Sequence, residues 1–174
     1  MPKAAMWRVI LAAVACIVVG TLPAAPAEAG PAWLPALDIS AAAHFAQSPQ
    51  VAVDPRGNVV AVWTRFNGTN YMVQAAVRQA SSGAWQAPVD LSVAGQSAVG
   101  PQVALDPQGN AVVVWSRFSG THEIIQSTVR PAASGVWQAP VDISVDGEDA
   151  ASPQVALDPQ GNAIAVWSRS NGPT

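Results

Sequence analysis

The stretch that decides the fold is PQVAVDPRGN at residues 49–58, which returns as PQVALDPQGN at residues 101–110 and 153–162. In each copy the proline fixes φ at the first turn position, the glycine accepts a positive φ, and the aspartate accepts hydrogen bonds from turn amides. This spacing predicts a type I turn closed by a left-handed glycine, and therefore a β-hairpin. The predicted structural turn residues are Asp54, Gly57, Asp106, Gly109, Asp158 and Gly161.

The turn belongs to a 52-residue repeat. Residues 49–100 and 101–152 align without a gap and are identical at 31 of 52 positions, and residues 153–174 match the second copy at 16 of 22. Upstream, residues 33–40 are similar to residues 85–92, again 52 positions away. We therefore divide the chain beyond residue 29 into the tail of a first repeat (30–48), two complete repeats (49–100 and 101–152) and a truncated repeat (153–174).

Each repeat is predicted to form four strands. The first is the short run before the Asp-Pro turn, and the second, at 59–66 and 111–118, is a near-continuous apolar run typical of a strand covered on both faces. The third is expected at 71–78 and 123–130, and the fourth is expected to start at Trp85 or Trp137. No stretch has a helical period, so the predicted fold class is all-β, with four-stranded antiparallel meanders.

A meander of about 40–50 residues has the size of one β-propeller blade. The strand–Asp-x-x-Gly-Asn–strand corner resembles the repeats of sialidase-like and NHL-type propellers, and the resemblance extends from Leu37 to Thr174. It departs from the sialidase Asp-box, because Ala52 replaces Ser or Thr and Gly57 follows Asp54 by three positions. The resemblance implies a partial propeller-like fold with two full blades. A tandem β-sandwich is the alternative, although a sandwich domain usually needs about 100 residues.

Two full blades with flanking strands are fewer than the roughly four to eight blades of a closed propeller. Unclosed blades would expose apolar faces, which favours association. Three explanations stay open at this point: the chain is a fragment of a longer protein, several copies close a homo-oligomeric ring, or the meander remains open.

The segment at positions 1–29 is typical of a signal peptide. Lys3 and Arg8 precede an apolar run at residues 9–22, and Ala27-Glu28-Ala29 fits the small-x-small pattern before a cleavage site. Cleavage is predicted after Ala29, which would give a secreted protein with no membrane segment. The alternatives are a retained anchor, for which the run is short, and a lipoprotein modified at Cys16.

Charge and cysteine content restrict the partners. The chain has a net charge of −3, and beyond residue 29 it has six arginines, no lysine and ten acidic residues. Because no basic surface could replace counterions on phosphates, a nucleic-acid partner is not expected. The one cysteine, Cys16, lies in the predicted signal peptide. The exported chain would therefore be held together without disulfides.

Tryptophan and arginine repeat together along the chain. One tryptophan series is Trp33, Trp85 and Trp137, and in the other series an arginine follows two positions later, on the same strand face. Such pairs could form sugar-binding pockets, or the tryptophans could fill the core between blades with the arginines stacked on them. The second interpretation is favoured. The candidate ligand-pocket residues are Trp63, Arg65, Trp115, Arg117, Trp167 and Arg169.

Metal and catalytic sites have little support in the sequence. Each turn aspartate stands alone, whereas calcium takes about six to eight oxygen ligands. The acidic loop at 142–149 has no acidic counterpart at 92–97, so a solvated loop is favoured over a calcium site. His122 lacks a second histidine at zinc-protease spacing, and no Gly-x-Ser-x-Gly motif occurs. We expect no cofactor, no bound metal and no catalytic residue.

The expected function is that of a secreted, non-enzymatic propeller-type repeat protein that binds a glycan or protein ligand, or of a fragment of such a protein. One alternative is a fragment of a glycan-processing or other propeller enzyme whose catalytic residues lie in other blades. Another is a self-assembling lectin with Trp/Arg sugar pockets.

Overall fold

The computed structural model describes residues 34–40 and 45–170, which form an all-β fold of ten strands without a helix. The all-β class and the four-stranded antiparallel sheets are therefore confirmed. The predicted signal peptide at residues 1–29, together with Trp33 and His44, lies outside the described residues. Within the described part of the chain, no helix has the length and apolar character needed to cross a membrane.

The strands form three antiparallel sheets. The first sheet has the order β1-β2-β3-β4, with β1 (Ala46–Val53), β2 (Val59–Phe66), β3 (Tyr71–Arg78) and β4 (Val89–Asp90). The second has the order β5-β6-β7-β8, with β5 (Ala98–Leu105), β6 (Ala111–Phe118), β7 (Glu123–Arg130) and β8 (Val141–Asp142). The third pairs β9 (Ala150–Leu157) with β10 (Ala163–Arg169).

The second and third strands of both complete sheets occupy the residues that the sequence predicts. The prediction for the fourth strand was wrong in its start. Trp85 makes only an isolated bridge with Arg78, and regular pairing begins at Val89. Pro88 explains the gap, because proline has no N–H to donate to the neighbouring strand.

The Asp-Pro-x-Gly-Asn segment forms the hairpin between the first two strands. The N–H of Gly57 donates to the carbonyl of Asp54 at 2.9 Å, and the N–H of Asp54 donates to the carbonyl of Asn58 at 3.0 Å. Gly57 has a φ of 82°, the left-handed conformation that follows a type I turn in such hairpins. The same two bonds close the corners in the second and third sheets.

A bulge interrupts the first strand of every sheet at an equivalent position. The pairing register shifts between Gln47 and Gln50, and again at the corresponding positions of the other two sheets. The residue inside the bulge has a positive φ, which is 51° at Ser48, 63° at Gly100 and 55° at Ser152. Glycine adopts this conformation without cost, whereas a side chain is strained there. The bulge therefore bends each first strand at a small energetic cost in two of the three sheets.

The sheets pack face to face in chain order. We call the face of a sheet that meets the next sheet its forward face, and the opposite face its backward face. The forward face of the first sheet contributes Val60, Val62, Val73, Ala75, Val77 and Leu91, and the backward face of the second contributes Ala111, Val113 and Trp115. The forward face of the second sheet meets the backward face of the third in the same way, around Val112, Val114 and Ile125.

The bulge residue gives a test of backbone strain. We expect Ser152→Gly to raise the free energy of unfolding by up to about 1 kcal/mol, because a left-handed backbone costs a serine more than a glycine. Urea denaturation of the purified variant measures the change.

The reciprocal control is Gly100→Ser, which should lower the free energy of unfolding by a similar amount. No described heavy atom lies within 4 Å of a Cβ built at Gly100, so its effect reports backbone conformation rather than a clash. Equal stability of the Gly100→Ser variant and the parent chain would contradict the explanation.

Candidate functional site

The six residues predicted to line a ligand pocket lie on the backward faces of the three sheets. Each tryptophan is near the middle of a second strand, and each arginine lies two positions further on, near the strand end. Since alternate residues of a strand point to the same side, tryptophan and arginine share a face. The pairs are Trp63 with Arg65, Trp115 with Arg117, and Trp167 with Arg169.

The tryptophans contribute to the packing between sheets. Trp115 is fully buried and Trp63 is 4% exposed. We call the packed contact between two successive sheets a seam. Trp115 belongs to the same core cluster as Leu91, and Ile143 and Trp167 pack against the next cluster. At both seams a tryptophan therefore lies with the fourth-strand segment of the preceding sheet. Trp63 lies with Ile39, which is the repeat equivalent of Leu91. The indole rings of Trp63 and Trp115 therefore have little surface left for a ligand.

A polar chain runs from each of these buried rings to the sheet margin. The Nε1–H of Trp63 donates to Oε1 of Gln74 at 3.2 Å, and Nε2 of Gln74 donates to Oδ1 of Asp90 at 2.6 Å. The second sheet repeats the chain through Gln126 and Asp142, at 3.2 and 2.7 Å. These glutamines and aspartates were missed as site residues, although their spacing by one repeat was visible in the sequence. They satisfy the indole donor inside the core and fix the ring orientation.

The arginines lie where the seams reach the surface. The Nη2 atom of Arg117 is 3.9 Å from Oδ2 of Asp142, and Arg169 forms an ion pair with Glu148. The Nε atoms of Arg65 and Arg117 are buried and have no hydrogen-bond partner among the described residues. A buried donor without a partner costs free energy, so these two Nε atoms lower the stability of the fold.

Two cavities occur at equivalent junctions. One, of about 250 Å³, lies between the segment around Ile39 and strand β2, next to Trp63. The other, of about 230 Å³, is lined by Ile143, Trp167, Arg169 and Glu148, among others. Trp167 is only half-buried and Arg169 is exposed. The third sheet is therefore where the tryptophan–arginine pair is accessible.

The turn aspartates accept hydrogen bonds within their own hairpin turns. Oδ1 of Asp54 accepts hydrogen bonds from the N–H groups of Arg56 and Asn58 at 2.8 and 2.9 Å, and Oδ2 accepts one from the Asn58 amide at 2.8 Å. Burial raises the pKa of Asp54, but these hydrogen bonds outweigh it and hold the pKa below its ordinary value. Hydrogen bonds from Asn162 likewise lower the pKa of Asp158.

The corners of neighbouring sheets also touch. Arg56 of the first corner donates from Nη1 to the carbonyl of Gln108 in the second at 3.0 Å. A Cβ at Gly109 would lie 3.2 Å from Oδ2 of Asp54, and one at Gly161 would lie 3.1 Å from Oδ2 of Asp106. Both glycines therefore permit the close approach of the preceding corner as well as a positive φ.

The acidic loop after β8 does not gather its carboxylates. Asp146 lies 3.6 Å from Nδ1 of His122, and Asp149 accepts a hydrogen bond from the N–H of Glu123 at 2.9 Å. Burial, with the nearby charge of Asp149, raises the pKa of Glu123. No group of three or more potential metal-ligating side chains occurs among the residues that the structure describes.

The fold and the seams define a class: an all-β repeat protein built from antiparallel sheets that pack face to face, one sheet to each repeat. No protein-family model matches the chain, and no curated protein matches it. The function is therefore inferred from the residues of this chain alone.

The seam tryptophans should differ in their contribution to stability. We expect Trp115→Ala to lower the free energy of unfolding by about 3–5 kcal/mol, because it opens a cavity in a fully buried seam. Trp167→Ala, at the equivalent position of the third sheet, should cost clearly less because that ring is only half-buried. Urea denaturation checks both variants, and equal losses would contradict the structural role given to Trp115.

The turn aspartates allow a second comparison. Asp54→Ala should cost about 1–3 kcal/mol, because it removes the acceptor of three partly buried hydrogen bonds in the turn. Asp158→Ala should cost less, since water reaches the third corner. Denaturation at neutral pH measures the difference.

The pH dependence of the free energy of unfolding provides a control for the Asp54→Ala variant. The folded pKa of Asp54 is lowered, so its stabilisation is complete above an unfolded pKa of about 3.9 and is lost as the pH falls through the folded value. Asp54→Ala should therefore flatten the acid side of the stability profile. An unchanged profile in the variant would show that Asp54 does not contribute in this way.

Proposed function

We propose that this chain forms part of a secreted, non-enzymatic repeat protein of the β-propeller type, and that its successive blades act as a scaffold for binding. The observation that carries the proposal is the packing of the sheets. Strand β5 contacts β1, and it also packs on β2 and β3 of the first sheet. In the same way β9 contacts β5, and it also packs on β6 and β7 of the second sheet. Face-to-face packing of successive sheets, with the first strand of each sheet next to the first strand of the sheet before it, is typical of propeller blades around an axis.

The segment at positions 1–29 supports the location outside the cell. Its positive start, apolar run and Ala27-Glu28-Ala29 ending are those of a secretory signal peptide. Beyond this segment the chain has no cysteine, so the seams between sheets would carry the stability of the exported protein.

The binding surface that we propose is the margin where the seams reach solvent. Arg65, Arg117 and Arg169 recur there at intervals of one repeat, one on each sheet. Guanidinium groups bind carboxylates with two parallel hydrogen bonds, and those of Arg117 and Arg169 already lie next to the carboxylates of Asp142 and Glu148. A ligand with several carboxylate groups, such as an acidic glycan, fits this arrangement.

A second candidate is a sugar pocket at the third sheet. The cavity beside Trp167 and Arg169 combines a half-buried indole with the ion pair of Arg169 and Glu148. An apolar ring with charged neighbours is a common surface for sugar recognition. By contrast, the buried rings of Trp63 and Trp115 favour the structural role for those two residues.

An array of acidic and neutral glycans, probed with the purified chain, tests the proposal. We expect binding to carboxylate-bearing glycans, and Arg169→Gln should weaken it at least ~10-fold because a charged hydrogen-bond donor is lost. Arg56→Gln is the matched control, because Arg56 lies at the opposite end of the second strand, in the corner, and this variant should bind as the parent chain does.

The fate of the ligand distinguishes a binding protein from an enzyme. After prolonged incubation, mass spectrometry should recover the bound glycan intact. Cleavage or modification would overturn the non-enzymatic proposal and favour a propeller enzyme. Equal weakening by Arg56→Gln and Arg169→Gln would overturn the proposed binding surface.

A further inference from the structure

The two ends of the stacked sheets present apolar faces that no described residue covers. On the backward face of the first sheet, Val51 and Val53 of β1 are 63% and 60% exposed. On the forward face of the third sheet, Ile164 and Val166 of β10 are 64% and 59% exposed. Exposed apolar side chains that form part of a sheet face are unusual on a protein that stays monomeric.

Inside the chain, the residues equivalent to these four pack against each other twice. Val103 and Leu105, which are the repeat equivalents of Val51 and Val53, pack against the cluster of Val60 and Val62. This first seam joins the first and second sheets.

The second seam repeats the contact with the next set of equivalent residues. Val155 and Leu157 pack against the cluster that contains Val112 and Val114. Ile164 and Val166 are the repeat equivalents of Val112 and Val114. The exposed forward face therefore carries the second-strand part of the set that twice receives a first-strand pair, while the third-strand members of that set have no counterpart in the two-stranded third sheet. The exposed backward face carries such a first-strand pair.

We propose that two copies of this chain associate head to tail, with the forward face of the third sheet of one copy docked on the backward face of the first sheet of the next. The occupant of each open face is thus a second copy, because the contact would continue an interface that the chain already builds twice. Such an interface joins two different surfaces. It therefore generates a ring where the rotation closes and a filament where it does not.

Residues 37–40 already cover part of the backward face of the first sheet, which is the head of the chain in this association. They therefore limit where the incoming sheet can dock. Ile39 packs against the cluster that contains Trp63, and its repeat equivalent Leu91 lies in one cluster with Trp115 in the next seam. The area around Val51 and Val53 is left for the incoming sheet. The incoming Ile164 and Val166 would lie against that pair, as Val112 and Val114 lie near Val155 and Leu157.

Complementary variants test the proposal. The head variant carries Val51→Glu and Val53→Glu, and the tail variant carries Ile164→Glu and Val166→Glu. All four side chains are exposed within one copy, so each variant is expected to fold, which circular dichroism checks. Glutamate on both faces ensures that two blocked faces repel each other.

Analytical ultracentrifugation should show concentration-dependent assembly of the parent chain beyond one copy. Each blocked variant alone should remain monomeric, with self-association weakened at least ~100-fold because assembly would bury unpaired charges. A 1:1 mixture of the two variants should form a heterodimer, since each supplies the face that the other lacks. A control with Val93→Glu and Val136→Glu, which are exposed valines in the loops between strands, should assemble like the parent.

Several outcomes would overturn the proposal. A parent chain that stays monomeric at high micromolar concentration would leave the faces to another segment or partner. Self-association of either blocked variant would mean that a face pairs with itself. A mixture without heterodimer, or a control that fails to assemble, would show that these faces do not dock as inferred. The inference concerns sheet packing and not ligand binding, so its failure would leave the proposed function in place.

Discussion

The interaction on which this protein depends is the burial of apolar side chains between one sheet and the next. In each complete sheet the middle strands carry apolar residues on both faces, as Val62 and Trp63 do on neighbouring positions of β2. Burial of apolar surface contributes about 25 cal/mol per Å², and a tryptophan supplies about 150–250 Å² of it. A sheet of this kind gains stability from each neighbouring sheet, because its own hydrogen bonds leave both faces in contact with water.

Much of this fold could be predicted from the sequence. The second and third strands were predicted at the right residues because tight turns rich in glycine bound continuous apolar runs. The start of the fourth strand could not be located, since Trp85 suggests a strand while Pro88 prevents regular pairing. The bulge at Ser48 was also invisible, because a serine with a positive φ leaves no mark in the sequence.

The sequence predicts which candidate residues share a strand face, but not the environment of those residues. Strand alternation correctly implies that Trp115 and Arg117 share a face. Only the packing of the sheets decides how much of each ring is accessible, and that is why Trp115 is buried while Trp167 is half-buried at the same repeat position. The partners Gln126 and Asp142 require the third and fourth strands in register, which repeat spacing alone does not give.

The equivalence of the seams has a consequence for how the length of such a chain can change. Because the forward face of each sheet fits the backward face of the next repeat, insertion or loss of one whole repeat gives every sheet its usual neighbours. An insertion of a single amino acid within a strand instead turns the following side chains to the other face. Genetic duplication in units of a whole repeat is therefore structurally neutral at each seam, and the number of sheets can vary while every interface stays the same.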